Sequence, residues 1–496
     1  MTNQTLPQAW LELISAIQQI LKARPIYLIG GMLRDQFLGR DCRDVDFALE
    51  RDADRAGRAV ADALGGKFFL LDKERGTARV LVDVNLLGRV ALDFANLRGG
   101  DLDADLASRD FSMNALAVEL DHWDEIIDPM KGQEDIQAKI LRSCSPTSFS
   151  DDAVRVLRAV RFTNELGFHI EKDTEEQLIA AVPKLKDISI ERQRDELFLM
   201  LGGEKISKSI RQLARYGILE ILLPELMPLM GFGQSIQHEH DAWEHTLAVV
   251  DYCQQILAFF LNGGVHKSGN TYLNEAQEQL LIFQEPLKKY FEHELNPFRP
   301  LRTQFLFAAL YHDVGKPTSS SVDKGGRIHF IDHEGIGARM AGLRAAALAL
   351  SRSEVKFIRD VIQSHMLIHP IAKAENMPTR EVVYTFFLES GTAGVADCLF
   401  SLADLLATYE KRMDPQRWQQ GISACKMLMD GWFNHHDEWV NPPLLLNGTD
   451  LQVEFQLTPG PKIGYLLNQL KEAQATGVVN TMDEARKYVK DLLLEK

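Results

Sequence analysis

The run Ile26-Tyr27-Leu28-Ile29-Gly30-Gly31-Met32-Leu33-Arg34-Asp35, with Asp44-Val45-Asp46-Phe47-Ala48-Leu49 a few residues on, reads as a buried strand, a tight glycine turn and a second strand. In a strand, residues i and i+2 point to one face, so Asp44 and Asp46 project together from one sheet surface. Two carboxylates brought that close repel unless a cation lies between them. Hard oxygen ligands suit Mg²⁺, which is bound through one or two carboxylates plus substrate phosphates. The glycine turn lets backbone N–H groups approach a phosphate. A lone Asp-x-Asp is most often a pair of solvated loop acids. The preceding strand, the glycines and Arg34 make this one a candidate metal-dependent nucleotidyl-transfer site.

At 496 residues the chain is too long for one ordinary domain. Its 45% hydrophobic and 25% charged residues are those of a globular protein, and we read no apolar run of membrane-spanning length, so no membrane partner is expected. Cys42, Cys144, Cys253, Cys398 and Cys425 lack Cys-x-x-Cys spacing, which argues against a zinc ribbon or disulfide framework and suits a reducing cytoplasm. No secretory signal is seen at the N-terminus. The formal charge of −15 weakens a nucleic-acid partner without excluding it, because the local field decides. Arg142, Arg155, Arg158, Arg161, Lys184, Lys186, Arg192 and Arg194 do cluster in one stretch.

The pattern divides the chain into 1–135, mixing short strands and helices; 136–230, helical; 231–440, helical and histidine-rich, with a loop over Asn262 to Thr271; and a tail over 441–496, begun by Pro442-Pro443. Trp10 to Leu21 reads as an amphipathic helix. Phe68 to Leu71, Val80 to Val84 and Val90 to Phe94 read as strands. Thr481-Met482-Asp483-Glu484 reads as a capping box. Asp93 lies on the last of those strands and is a candidate third carboxylate. Arg109, Asp110 and Asn114 stand close together in Ser108 to Ala115, where arginine can hold phosphate and the other two a ribose hydroxyl. Asp128 to Gly132 is a structural turn. Asp152, Arg155, Arg158 and Arg161 recur at every third position, a spacing that would set them on one slowly turning helix face.

Gly30 to Asp35, Arg43 to Phe47, Ser108 to Ala115, Asp128 to Gly132, Asp151 to Phe162 and Glu191 to Glu196 resemble, in order, the motifs of the class II tRNA nucleotidyltransferase and bacterial poly(A) polymerase family. The resemblance covers roughly residues 25 to 230. It implies an α+β architecture: a polymerase β-like head with a mixed sheet, then a helical neck and body. It also implies Mg²⁺ on the catalytic Asp44 and Asp46; Gly30, Gly31 and Arg34 at the triphosphate; Arg109, Asp110 and Asn114 at the nucleotide; Asp152 and Arg155 reading the base edge; and Arg158 and Arg161 supporting the nucleotide. The implied partners are CTP, ATP and the 3′ end of tRNA or another RNA. Asp151 stands where the family has glutamate, and Ser108 where it has arginine. Only 15 residues separate Asp93 from Arg109, shorter than the loop associated with adding the terminal A, so CC addition stands beside full CCA addition. Poly(A) addition also stays open.

His245, His312-Asp313 and Asp404, with His333 and His365 as candidate extra ligands, resemble the ordered metal-ligand set of the HD-superfamily phosphohydrolases. That implies an all-α domain holding Mg²⁺ or a divalent transition metal, since imidazole and carboxylate together suit several ions. His238, His240 and His369 fall outside the motif and stay unassigned. The competing reading is a phosphohydrolase whose head only binds nucleotide or RNA. Oligomeric state is not legible.

Overall fold

The computed structural model describes residues 7–22, 24–42, 44–85, 87–233, 241–264, 268–297, 299–374, 378–409 and 412–494. It divides into two compact units, 1–196 and 197–496.

In the first unit, helix α1 (Gln8–Ile20) leads into β1 (Tyr27–Ile29), α2 (Gly31–Phe37) and β2 (Asp44–Leu49). Helix α3 (Ala53–Leu64) and the strands β3 (Lys67–Asp72), β4 (Thr77–Val84) and β5 (Gly88–Asn96) follow. Then come α4 (Leu102–Ala107), β6 (Ala117–Glu119), β7 (Ile126–Ile127), α5 (Gly132–Ala138), α6 (Ser148–Asp151), α7 (Arg155–Leu166) and α8 (Lys172–Ala181), and the boundary falls within α9 (Ile190–Leu201). Strands β1 to β7 form one sheet in the order β3-β4-β5-β2-β1-β6-β7. The β2–β5 pair is parallel and every other pair is antiparallel, a mixed sheet as expected.

Alternation along β2 explains its place at the centre. Val45, Phe47 and Leu49 are fully buried. Phe47 stacks on its register partner Phe94 of β5 with centroids 5.1 Å apart. Asp44 and Asp46 take the opposite face. Leaving β1, Gly30 adopts φ +78°, ψ −128°, a conformation closed to other residues without strain. The Asp128 turn is structural: its carboxylate accepts the amides of Gly132 (2.6 Å) and Gln133 (3.0 Å). A side chain at Gly132 would collide with the Ser112 carbonyl.

The second unit is helical, with two short antiparallel ribbons, Glu294–Asn296 with Arg299–Pro300 and Ser320–Val322 with Ile328–Phe330, which the hydrophobic pattern does not show. Its core is aromatic: Phe260, Phe305, Phe307 and Phe400 are buried on helices Ala242–Leu261, Leu301–Tyr311 and Gly394–Tyr409. The stretch Arg380–Tyr409 meets the length and hydropathy of a membrane span, contrary to the reading of the sequence, but 83% of its most apolar window is buried, so packing accounts for its apolarity. The tail builds its own cluster of Leu451, Leu466, Leu470 and Val489, and its helix Pro461–Ala475 packs on helix Arg380–Ser390. The Thr481–Glu484 capping box is present in both directions.

One buried ion pair anchors this unit. Glu354 is fully buried and accepts from Arg299 (2.7 and 3.1 Å), Gln304 (2.9 Å) and the Ser351 amide (2.8 Å). Burial opposes its ionisation, but Arg299 and Ser351 hold its pKa at about 2. Glu354→Ala removes the buried carboxylate to which Arg299 and Gln304 both donate and should cost about 3–5 kcal/mol in denaturant unfolding. Because the folded pKa lies below the unfolded value, the stabilisation is present above the ordinary glutamate range. It is lost as pH falls from there toward 2, and the variant should lack this acid-dependent component.

Candidate active sites

The acids of the first unit form a row across the sheet. In register, Arg79 of β4 faces Asp93 of β5, and Asp93 faces Asp46 of β2. Cross-strand partners share a face, so Asp44, Asp46 and Asp93 are grouped as the sequence suggested. Asp93 is already engaged: Arg79 donates Nε to Oδ1 at 2.8 Å and Nη2 to Oδ2 at 2.7 Å. Burial raises the pKa of Asp46 to about 6, Arg109 opposes the rise, and the charges of Asp93 and Asp44 add to it. A carboxylate held at such a cost to its charged form fits a divalent cation. Gly30 completes the pocket. A Cβ there would lie 3.0 Å from Arg109 Nη1 and 3.5 Å from Asp46 Oδ2, so only glycine leaves room between arginine and carboxylate.

Arg34 is buried and donates Nε to Asp35 (2.9 Å) and Nη1 to Asn114 Oδ1 (2.7 Å). Asn114 donates to Asp110 Oδ1 at 3.0 Å, Arg158 donates to Asp110 Oδ2 at 2.8 Å, and both Arg158 (3.2 Å) and Arg161 (2.8 Å) donate to Glu196. One hydrogen-bonded chain thus links the glycine turn to α7 and α9. Burial alone would raise the pKa of Asp110, yet Arg158, Asn114 and the Phe111 amide hold it at about 2. The Phe162 ring takes the guanidinium groups of Arg161 (4.2 Å), Arg34 (5.0 Å) and Arg158 (5.2 Å).

A cleft of 380 Å³ opens beside this chain, lined by Arg98, Arg109, Asp110, Asp152, Val154, Arg155, Arg158, Arg192, Asp195 and Glu196. It brings together five of the residues picked from the sequence. Asp152 does not share the helix: it caps α6 in extended conformation, φ −153°, and α7 begins at Arg155. Its carboxylate accepts from Arg192 at 2.6 Å. Arg155 donates Nη1 to the carbonyls of Arg109 and Ser148 (both 3.2 Å) and to Ser148 Oγ (2.8 Å), and Nη2 to the Ser108 carbonyl (2.8 Å). The segment between Asp93 and Arg109 is short and folded: Asp101 caps α4 through the Ala104 amide. Arg109 pairs with Asp105 at 3.1 Å.

In the second unit, His245, His312, Asp313, His333, His365 and Asp404 converge. His245 Nε2 lies 3.0 Å from Asp404 Oδ1 and 3.7 Å from Asp313 Oδ2. His312 Nε2 is 3.1 Å from Asp313 Oδ2, and His333 Nε2 is 3.7 Å from Asp313 Oδ1. Asp313 therefore faces two ligand sets, His245 with His312 and His333 with His365. Each of His312, His333 and His365 turns Nδ1 to the carbonyl three residues back, Ala309, Phe330 and Ile362, at 2.8, 3.0 and 2.6 Å. That contact fixes the proton on Nδ1 and leaves the Nε2 lone pair facing inward, the arrangement metal-binding imidazoles use. The Nε2 atoms of His312 and His333 are buried and make no hydrogen bond. Burial, then the neighbouring His312 and His333, lower the His365 pKa to about 3, so it is a neutral donor. These residues fit one or two divalent ions.

Sequence reasoning missed several neighbours. His369 lies 3.4 Å from Asp404 Oδ2, Lys316 2.6 Å from Asp313 Oδ2, and Arg79, Arg98 and Arg192 stand at the head's acids and cleft. Lys316 sits in the quoted His312 to Lys316 run and Arg192 in the Glu191 to Glu196 motif, so each had a sequence signal that was given no role. His238 and His240 lie outside the described residues.

The sequence matches the poly A polymerase head domain over residues 26–142, a probable RNA- and SrmB-binding site of polymerase A over 167–230, and the HD domain over 289–407. It is 31% identical to an A-adding tRNA nucleotidyltransferase of Deinococcus radiodurans, covering 93% of this chain and 94% of that protein. It is 30% identical to a CC-adding tRNA nucleotidyltransferase of Thermus thermophilus, covering 93% and 92%. A solved CCA-adding enzyme in complex with ATP shares the fold with a TM-score of 0.61 at 19% identity, over 98% of this chain and 96% of that one. The Thermotoga maritima CCA-adding enzyme complexed with tRNA gives a TM-score of 0.54 at 20% identity, over 98% and 96%.

Proposed function

Because the chain belongs to the tRNA nucleotidyltransferase family, we propose that it builds nucleotides of the 3′ CCA end of tRNA without a nucleic-acid template, transferring CMP or AMP from CTP or ATP and releasing pyrophosphate. The observation that carries this reading is the pair Asp44 and Asp46 on the open face of β2, with Gly30 and Arg109 beside Asp46. Asp44 and Asp46 are the residues to hold Mg²⁺, which supplies charge neutralisation and Lewis acidity when bound. Gly30 and Gly31 give the triphosphate room, and Arg109 opposes its charge. The Asp110, Asn114 and Arg34 chain fixes the ribose side of the pocket. In the cleft, Asp152 offers an acceptor and the lining arginines offer donors. Cytosine and adenine both present an amino donor beside a ring acceptor, so one carboxylate and one guanidinium serve either base, while uracil and guanine present the reverse pattern. Catalysis by these residues is then positioning and charge neutralisation.

The second unit is proposed to be a phosphohydrolase. His245, His312, Asp313 and Asp404, with His333 and His365, are the residues to hold Mg²⁺ or a divalent transition metal, which supplies a Lewis acid for phosphoester cleavage.

The test is to incubate purified protein with tRNA lacking its 3′ CCA and labelled CTP or ATP, and to size the product. Extension by C with CTP, or by A on a tRNA already ending in CC, is expected. Two C additions without A would identify the CC-adding type. No incorporation of either nucleotide, alongside phosphoester hydrolysis, would leave only the hydrolytic unit active.

A further inference from the structure

Asp93 is the least available of the three acids in the head. Both of its oxygens are taken by one guanidinium, at 2.8 and 2.7 Å, in the parallel two-bond geometry by which arginine grips a carboxylate or, equally, a phosphate. Register fixes the order along the row: Arg79 outermost, then Asp93, then Asp46, with the Gly30 turn at the far end beyond β1. Arg79 is also the most open member of its pair, with its side chain 36% exposed against 21% for Asp93. The triphosphate end of the row is set by Gly30 and Arg109, both next to Asp46. On the nucleotidyl-transfer reading, the opposite end is the one open to the other reactant, the RNA strand, whose 3′ hydroxyl must reach the same acids.

We propose that Arg79 is a positioning residue that locks Asp93 until RNA is bound, and that a phosphodiester near the RNA 3′ end draws the guanidinium away and releases Asp93 as a third carboxylate for the divalent ion. The inference rests on the nucleotidyl-transfer reading of this site. No bond forms or breaks in the exchange: one guanidinium trades a carboxylate for a phosphate of like charge. The head thereby gathers its full negative charge only when RNA is present. Without the lock, three carboxylates would crowd one face and bind divalent ions whether or not a primer had arrived. Arg79 is on β4, outside every stretch that carries the family resemblance.

The test reads Mn²⁺ binding by electron paramagnetic resonance on the full chain carrying Asp313→Asn, so that the second unit's site is silenced. The RNA is a tRNA lacking CCA and ending in a 3′-deoxynucleotide, which cannot react. RNA should tighten Mn²⁺ binding to this otherwise native head by about tenfold, the scale of one partly exposed ion pair. Arg79→Gln should bind Mn²⁺ at the tightened level without RNA. Arg79→Lys, which cannot occupy both oxygens, should fall between. Asp93→Asn should bind weakly and show no response to RNA. Circular dichroism checks that each variant is folded. Unchanged Mn²⁺ affinity in Arg79→Gln, or an RNA response that survives Asp93→Asn, overturns the lock. Extension of a normal 3′-hydroxyl tRNA is measured in parallel: its absence counts against nucleotidyl transfer, whereas the RNA-free Arg79→Gln titration judges the lock by itself.

Discussion

Alanine at both Asp44 and Asp46 will lower nucleotide incorporation by at least about 10³-fold, with the labelled tRNA left at its starting length. The size follows from the role proposed for the pair as the cation's main anchor in a reaction that places new charge at the α-phosphate. The same change should not weaken the fold. Burial lifts the Asp46 pKa to about 6, above its unfolded value, so its ionisation opposes folding progressively as pH rises through that interval. Removing the carboxylate removes that opposition, and the doubly substituted protein should melt no lower than the parent at neutral pH. Loss of incorporation with unchanged or higher thermal stability separates a chemical role from a structural one. Loss of both would assign the acids to the fold.

Asn at Asp313 carries the second large effect. Hydrolysis of p-nitrophenyl phosphate should fall at least about 10³-fold, and metal retained after dialysis should drop sharply by elemental analysis. Asp313 is the only residue whose two oxygens face both histidine sets among the described residues. Its pKa is held well below the ordinary range although burial pushes the other way, because His312, Lys316 and His245 surround it. An amide keeps the shape and removes the negative charge that Lys316 and a bound divalent ion would face. Nucleotide incorporation by this variant should be unchanged. A parallel fall in both activities would contradict the assignment of two separate chemistries.

Much of this was legible in the sequence where one local pattern fixed the answer. The alternation of Asp44, Val45, Asp46 and Phe47 gave the strand and its acidic face, and the glycines after Ile29 gave the turn. The histidine set was legible through order alone, and the structure brings all six residues together across five helices and their ends. What failed to show was whatever depends on register or on chain reversal. Arg79 and Asp93 meet because a hairpin pairs Val84 with Gly88, which sets every pair above it; no local signal in Arg79 announces that. Periodicity alone puts Asp152 on the helix because it ignores the break there, where the chain leaves α6 before α7 starts. The guanidinium of Arg155 points to carbonyls supplied by Ser108, Arg109 and Ser148, partners that spacing along one helix cannot reveal. His369 was passed over because it lies outside the motif, yet it shares Asp404 with His245.

Crystals soaked with Mn²⁺ and a non-hydrolysable CTP analogue, measured at the manganese absorption edge, give the most direct test. The account predicts an anomalous peak within ligand distance of both Asp44 and Asp46, with the triphosphate beside Gly30 and Arg109. Nucleotide bound with no peak between those two carboxylates, or a peak confined to the histidine cluster of the second unit, would contradict it.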